Sequence, residues 1–443
     1  MNLPQQLIDS LKPLSGFNAK AFIEAHQKEN KITSVRLNPF KKTELDFELN
    51  DSVDWCSNAF YLKDRPSFTM DPLFHAGCYY VQEAGSMFLE HALKSILDFS
   101  QPLKVLDVCA APGGKSTLIN SLLNNQSLLI ANEVVKTRAA ILSQNLSKWG
   151  TSNTIVTNND PQKFSELNSY FDAVIIDAPC SGSGLFRKQP EAISEWSLNN
   201  VNLCSARQKR ILASVIDSLK ETGILIYSTC SYSTEENEAV INWLLTDFDM
   251  EYIPLPIKKE WGIIETSLGY RFYPHLTQSE GFFCAVLKKK NTSGIIVKSI
   301  KNQNSSVSKN ELEILSEFVN ITEDYFFKNN KQFHLLNSAA FQFITQFTKN
   351  FYYKKAGIAI GEIKGKDMIP NQELAWGKAL NALKIINLDK IESLKFLKKQ
   401  AFTTAEFNPG FSLISYKNQG LGWAKTLPGR INNYLPSELR ILS

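Results

Sequence analysis

Two cysteines each follow an apolar run and open into a loop rich in Ser, Gly or Thr. Cys180 stands in Ile175-Ile176-Asp177-Ala178-Pro179-Cys180-Ser181-Gly182, and Cys230 in Ile224-Leu225-Ile226-Tyr227-Ser228-Thr229-Cys230-Ser231. A thiol on such a polar rim can gain the thiolate character that a core thiol lacks. It can then add to a ring carbon. Addition to carbon 6 of cytosine makes an enamine whose carbon 5 attacks an electrophilic methyl group. A base then removes the carbon 5 proton, and elimination frees the thiol. Asp177, just upstream of Cys180, is the candidate acid for the pyrimidine edge. An aromatic residue in place of Cys180 would stack on a base and suit an amino nitrogen. A cysteine cannot stack but can add, which points to ring carbon. One of the two thiols adds to the base, and the other assists elimination or positions the first. Cys56, Cys78, Cys204 and Cys284 are read as small buried hydrophobes, the commoner role.

The methyl donor needs a site, and the chain offers one upstream. Val105-Leu106-Asp107-Val108 runs into Cys109-Ala110-Ala111-Pro112-Gly113-Gly114-Lys115, a glycine loop between a strand and a helix. Backbone N–H groups at such a helix start face a ligand, and glycine permits close approach. A phosphate-binding P-loop would need a glycine where Cys109 stands. An S-adenosylmethionine loop instead needs a carboxylate after the second strand for the ribose hydroxyls. Glu133 closes Leu129-Ile130-Ala131-Asn132-Glu133 at the right distance, and its plainer reading is a charge at a helix start. Asp160, after the third strand, is the candidate acceptor for the adenine amino group. Asp177 ends the fourth strand. Cys109 is expected to pack and to make a backbone contact.

The elements that carry these residues are legible as alternating strands and helices. Strands are expected over 104–108, 128–132, 154–157, 173–177 and 224–228, with helices over 114–124, 136–149, 198–220 and 234–247. That βαβ alternation gives a parallel sheet with helices on both faces. Residues 281–287 read as an antiparallel strand that closes it. The division expected is a mixed, partly helical cap over 1–98, a Rossmann-like α/β domain over 99–290, a linker over 291–310 and an α+β region over 311–443. In the cap, short helices are expected over 3–14 and 21–26, a strand over 33–38, and one long helix over 80–97.

Composition narrows the class. Hydrophobic residues make up 43% of 443 residues, enough for two or three domains. No apolar run reaches the roughly 18 residues of a membrane span, and the amino terminus lacks a signal-peptide pattern. Seven cysteines without a Cys-x-x-Cys pair argue against disulfides and a zinc ribbon, so free thiols in a reducing cytoplasm and no metal are expected. The net charge is +4, but residues 351–443 alone carry 14 Lys and Arg against 7 Asp and Glu. A basic tail on a near-neutral body fits a polyanion.

Three long motifs together resemble the cytosine-5 RNA methyltransferases of the Sun/Nop family. They are Asp107 to Lys115, Asp177 to Gly182 with Gly184 and Phe186-Arg187-Lys188, and Ser228 to Ser231 with Glu235-Glu236-Asn237-Glu238. His75 to Glu83 is similar to the family's amino-terminal signature. Leu421-Gly422-Trp423-Ala424-Lys425, Asn432 to Pro436 and Glu438-Leu439-Arg440 resemble the PUA-like RNA-binding end of the bacterial RsmF branch, which acts on 16S ribosomal RNA. The resemblance implies an S-adenosylmethionine-dependent methyltransferase that modifies RNA, with 16S ribosomal RNA or the small ribosomal subunit as partner. It implies Cys230 as nucleophile, Cys180 in product release, and cofactor contacts at Cys109, Ala110, Ala111, Pro112, Gly113, Gly114, Lys115, Glu133, Asp160 and Asp177. Stacking and phosphate contacts are expected in the basic tail, with Trp423 and Tyr434 as candidates, although Trp423 reads equally well as a core residue. Two other readings remain open: a DNA cytosine-5 methyltransferase, which would use Cys180 as nucleophile, and a non-catalytic RNA-binding assembly factor that keeps the fold. Residues 300–350 match nothing nameable.

Overall fold

The computed structural model describes residues 2–28, 32–290, 307–320, 324–347, 349–365, 367–378, 380–381, 384–404 and 409–442. Of the linker expected over 291–310, only 307–310 lie within them. The cap begins with helices Gln5–Leu11 and Ala19–Gln27, followed by a small antiparallel sheet. Its strands are β1 (Thr33–Leu37), β2 (Ala59–Leu62) and β3 (Tyr79–Val81), with β1 in the middle.

The one long helix expected over 80–97 is a correction. Tyr79–Val81 is a strand paired with β1, Gly85–Met87 is a single 3-10 turn, and only Phe88–Lys94 is α-helix. The Glu83 carboxylate decides this locally. It accepts from the Gly85 and Ser86 N–H groups, both at 2.8 Å, so it starts a new turn instead of continuing a helix.

The central sheet then forms from β4 (Lys104–Asp107), β5 (Leu128–Asn132), β6 (Thr154–Thr157), β7 (Phe171–Asp177) and β8 (Leu219–Thr229). These five are parallel, in the order β8-β7-β4-β5-β6. Their Val/Ile/Leu-rich cores are buried on both faces, as a helix-covered parallel sheet requires. The helices between them are Gly114–Leu122, Lys136–Trp149 and Leu198–Val215. The last is shorter than expected, because β8 already starts at Leu219 and pairs with Phe171 of β7. Past β8 come helix Glu238–Asp247, β9 (Met250–Tyr252), β10 (Ile264–Thr266), β11 (Gly269–Phe272) and β12 (Phe282–Lys289). β12 runs antiparallel to β8, as its lack of a crossover helix suggested.

The remaining strands are β13 (Tyr325–Asn329), β14 (Gln332–Leu336), β15 (Tyr353–Ala356), β16 (Ile358–Lys364), β17 (Asp367–Pro370), β18 (Ile385–Leu388), β19 (Gly410–Tyr416), β20 (Gln419–Leu427) and β21 (Arg430–Asn433). β13, β14, β16 and β17 form one sheet, and β18 to β21 another. β15 does something the sequence did not suggest. It pairs antiparallel with β6 and becomes the edge of the central sheet. The carboxy-terminal region is therefore built into the body. Its last sheet also shares a core with the cap, where Val35, Leu73 and Tyr79 pack with Ile386, Phe396 and Ile414.

Candidate active site

The strand order reverses between β4 and β7, so the crevice beyond their carboxyl ends is where this type of sheet takes ligands. Asp107 ends β4 and Asp177 ends β7. Lys115, from the first turn of helix Gly114–Leu122, reaches across and pairs with Asp177 at 2.8 Å. Burial works against the Lys115 ammonium, but the Asp177 carboxylate more than offsets it, and its pKa is raised. Ser228 at the end of β8 donates to the other Asp177 oxygen at 2.8 Å. Asp177 is thus fixed on one side from the helix after β4 and on the other from β8.

The two sulfurs face each other at 3.0 Å, and both cysteines are free and partly exposed. The hydrogen bond with Cys230 pushes the Cys180 thiol well up, and burial adds to it. The Cys230 loop is held on both flanks by Asn237, which accepts from Thr229 Oγ1 at 2.6 Å and donates to the Ser231 carbonyl at 2.8 Å. The Gly184 N–H donates to the Cys230 carbonyl at 2.8 Å. No side chain fits at position 184, where a Cβ would lie 2.4 Å from the Gly281 oxygen and 2.7 Å from that of Cys230.

The glycine loop is tied down through its carbonyls. Arg138 donates to the Ala111 oxygen and Asn145 to that of Pro112, both at 2.8 Å, and Arg36 donates to that of Gly114 at 3.1 Å. The Ala110 N–H bonds the Asn132 carbonyl at the end of β5. Gly113 has φ of +114°, a conformation open to glycine, and it turns the chain into the helix whose first N–H groups lack intrahelical partners. Cys109 lies here, its thiol pushed up by burial. Beneath the loop, Asp107 is fully buried. Ser116 donates to one of its oxygens at 2.6 Å, and the other has no hydrogen-bond partner among the described residues. Burial lifts its pKa to about 7.

Glu133 is buried at the end of β5. One oxygen accepts from the Val135 N–H at 2.9 Å, and the other lies 3.2 Å from Arg138. The plainer reading, a charge at a helix start, therefore describes part of what it does; a carboxylate with two oxygens has acceptor capacity to spare. The Asn158 amide donates to the Glu133 carbonyl at 2.6 Å and so ties the loop after β6 to the end of β5. In that loop Asp160 is exposed and caps a short turn through the Gln162 N–H at 2.9 Å.

Two residues of this site were quoted in a motif but given no role: Glu236 and Asn237. Their signal was a dense acidic and amide run just past the second thiol, which reads equally well as charge in a helix first turn. The tail brings a correction. Trp423 is 1% exposed, and its indole donates to the Asn371 carbonyl, so it is core and cannot stack on RNA. Tyr434 is 41% exposed. No cluster of three or more His, Cys, Asp or Glu suited to a metal ion occurs among the described residues. Nor is any described helix long and apolar enough to cross a membrane.

Known proteins match this chain along almost its whole length. The family described as 16S rRNA methyltransferase RsmB/F matches residues 94–288. The amino-terminal domain of 16S rRNA methyltransferase RsmF matches 3–84, and the methyltransferase RsmF PUA domain matches 383–441. Ribosomal RNA small subunit methyltransferase F of Pectobacterium atrosepticum is 31% identical over 99% of this chain and 96% of its own. The enzyme of that name from Shewanella piezotolerans is 30% identical over 88% and 85%. Among solved structures, a methyltransferase homolog from Pyrococcus horikoshii is 30% identical, with a TM-score of 0.52 over 65% of this chain and all of its own. NSun6 from the same organism, solved with SFG, shares the fold at 20% identity, with a TM-score of 0.55 over 65% of this chain and 99% of its own.

Proposed function

The chain belongs to the RsmF family of 16S rRNA methyltransferases, and from that membership we propose that it methylates carbon 5 of a cytosine in 16S ribosomal RNA through a covalent adduct on Cys230. The observation that carries the reading is the pair of thiols 3.0 Å apart on the rim that also holds the Lys115–Asp177 pair.

S-adenosylmethionine fits the crevice. The helix start at Gly114, the acceptors Glu133 and Asp160, and the unpartnered buried oxygen of Asp107 supply contacts for a cationic nucleoside. When bound, it supplies an electrophilic methyl group on a sulfonium. The protein's residues do the rest. The Cys230 sulfur, as thiolate, bonds to carbon 6, and the electron pair of the carbon 5–carbon 6 bond becomes available at carbon 5. Asp177, held between Lys115 and Ser228, hydrogen-bonds the pyrimidine edge. After methyl transfer a base removes the carbon 5 proton. The double bond reforms, the carbon–sulfur bond breaks, and Cys230 leaves as thiolate.

In this reading Cys180, 3.0 Å from Cys230, assists the release. The hydrogen bond with Cys230, and burial after it, raise the Cys180 pKa. In the tail, an open groove of about 870 Å³ lined by Lys399, Phe402, Arg430 and Asn432 offers cationic and polar groups to the RNA backbone. Bisulfite sequencing of 16S ribosomal RNA from a deletion strain tests the function. Loss of one or more 5-methylcytosines, restored by the wild-type gene, is expected. An unchanged pattern in ribosomal RNA would contradict it.

A further inference from the structure

Glu236 is 0% exposed and has no ion-pair partner among the described residues. Four donors converge on its carboxylate. One oxygen accepts from the Ser181 N–H at 2.8 Å and from Gln208 Nε2 at 3.1 Å. The other accepts from Ser181 Oγ and Ser231 Oγ, both at 2.5 Å. Ser181 directly follows Cys180, and Ser231 directly follows Cys230. Gln208 also donates to the carbonyl of Pro179, on the other flank of Cys180, at 3.1 Å. The Glu236 carbonyl in turn accepts from Tyr227 Oη, in the strand that leads to Cys230, at 2.6 Å.

We propose that Glu236 is a positioning residue that locks the two thiol loops to each other and so fixes the spacing of the two sulfurs. This rests on the reading of both thiols as working groups. A buried carboxylate without a cation is costly, so the fold retains one only where its acceptors are all used. Here they are used on both sides of the gap that separates the thiols. The Gly184 N–H and Ser183 Oγ also bond across to the Cys230 loop, but among the described residues the shared carboxylate alone grips the residues that directly follow both thiols. A neutral amide keeps one acceptor oxygen for the Ser181 N–H and Gln208, but its nitrogen must donate to the two serine hydroxyls, so the charge-assisted bonds that the carboxylate accepts from them are lost.

The test uses the full-length protein with Glu236→Gln. Thiol spacing is read independently of methylation, by the rate at which glutathione disulfide converts the pair to an intramolecular Cys180–Cys230 disulfide. Two thiols lose two protons and two electrons, and one glutathione disulfide becomes two glutathione molecules. Glu236→Gln is expected to slow this conversion by about tenfold or more. It should lower kcat by about 10²-fold with KM for RNA and cofactor nearly unchanged, the mark of misplacement rather than lost binding. Should Glu236→Gln fail to fold, Ser181→Ala and Ser231→Ala decide, since each cuts one arm. Each is expected to slow disulfide formation and lower kcat without a matching loss of thermal stability. Unchanged disulfide rates and kcat in the folded variants, or losses that simply follow the melting temperature, would overturn the proposal. A wild-type protein that forms the disulfide readily, slows on Glu236→Gln, yet methylates no RNA would support the clamp and overturn the proposed function instead.

Discussion

At the scale of residues, the carboxylates of the crevice do different work because their surroundings differ. Glu133 already serves the loop through Val135 and Arg138, and it is the acid proposed for the cofactor ribose. Glu133→Ala should weaken S-adenosylmethionine binding by about 1.5–3 kcal/mol, the scale of charge-assisted hydrogen bonds. Calorimetry that shows equal affinity would remove the ribose role. Asp107 carries a different signature. Its folded-state pKa, about 7, lies above that of an unfolded aspartate. In the window between the two values the folded state holds a proton that the unfolded state has lost. Stability from this group therefore falls as pH rises from about 4 to 7 and levels off above that. Asp107→Asn should gain on the wild type across that window. Urea midpoints at pH 5 and 7.5 with the same difference at both would contradict this. The identities of the thiols, the loop and Glu133 were legible because each follows a strand and breaks an apolar run. The Lys115–Asp177 pair and the Glu236 clamp were not, since linear spacing does not reveal which loops meet.

At the scale of elements, the parallel strands were readable from unbroken apolar runs, and their crossover helices from helical periodicity. The segment 80–97 misled because Ala84, Met87, Phe88 and Ala92 have helical spacing although a strand and a capped turn precede the helix. There a tertiary partner, β1, and the Glu83 side chain outweighed periodicity. β15 was missed for a related reason. Tyr353-Lys354-Lys355-Ala356 carries no mark of its partner, and its pairing with β6 depends on how the preceding helix Ser338–Phe347 packs. Lys355 then becomes a buried cation, paired with Glu373 at 2.5 Å. Burial opposes the Glu373 charge, but Lys355 outweighs it and holds the carboxyl below its usual range. Lys355→Met leaves the partly exposed Glu373 carboxylate without its cation. It should cost about 1.5–3 kcal/mol by denaturant unfolding. A cost within ~0.5 kcal/mol would mean that this edge contributes little to stability.

At the scale of the whole molecule, the carboxy-terminal region cannot be treated as a detachable RNA-binding tail. Asn337 donates to the carbonyls of Asn125 and Ser127, β15 closes the catalytic sheet, and Asp46 of the cap pairs with Lys390 and Lys417. Truncation after residue 290 would therefore expose core as well as remove RNA contacts. Charge changes at Lys399 and Arg430, on the open groove, separate the two effects. Composition had indicated the basic tail, but nothing in it could show that this tail shares a core with the first hundred residues.

The central claim is that Cys230 attacks and Cys180 assists release, and a denaturing gel of each variant incubated with substrate RNA and S-adenosylmethionine tests it most directly. Cys180→Ala should attack, transfer the methyl group and release slowly, so that a methylated protein–RNA adduct accumulates and survives denaturation. Cys230→Ala and the double variant should show neither adduct nor methylation. An adduct in Cys230→Ala with none in Cys180→Ala would move the nucleophile to Cys180, and no adduct in either single variant would contradict the division of labour.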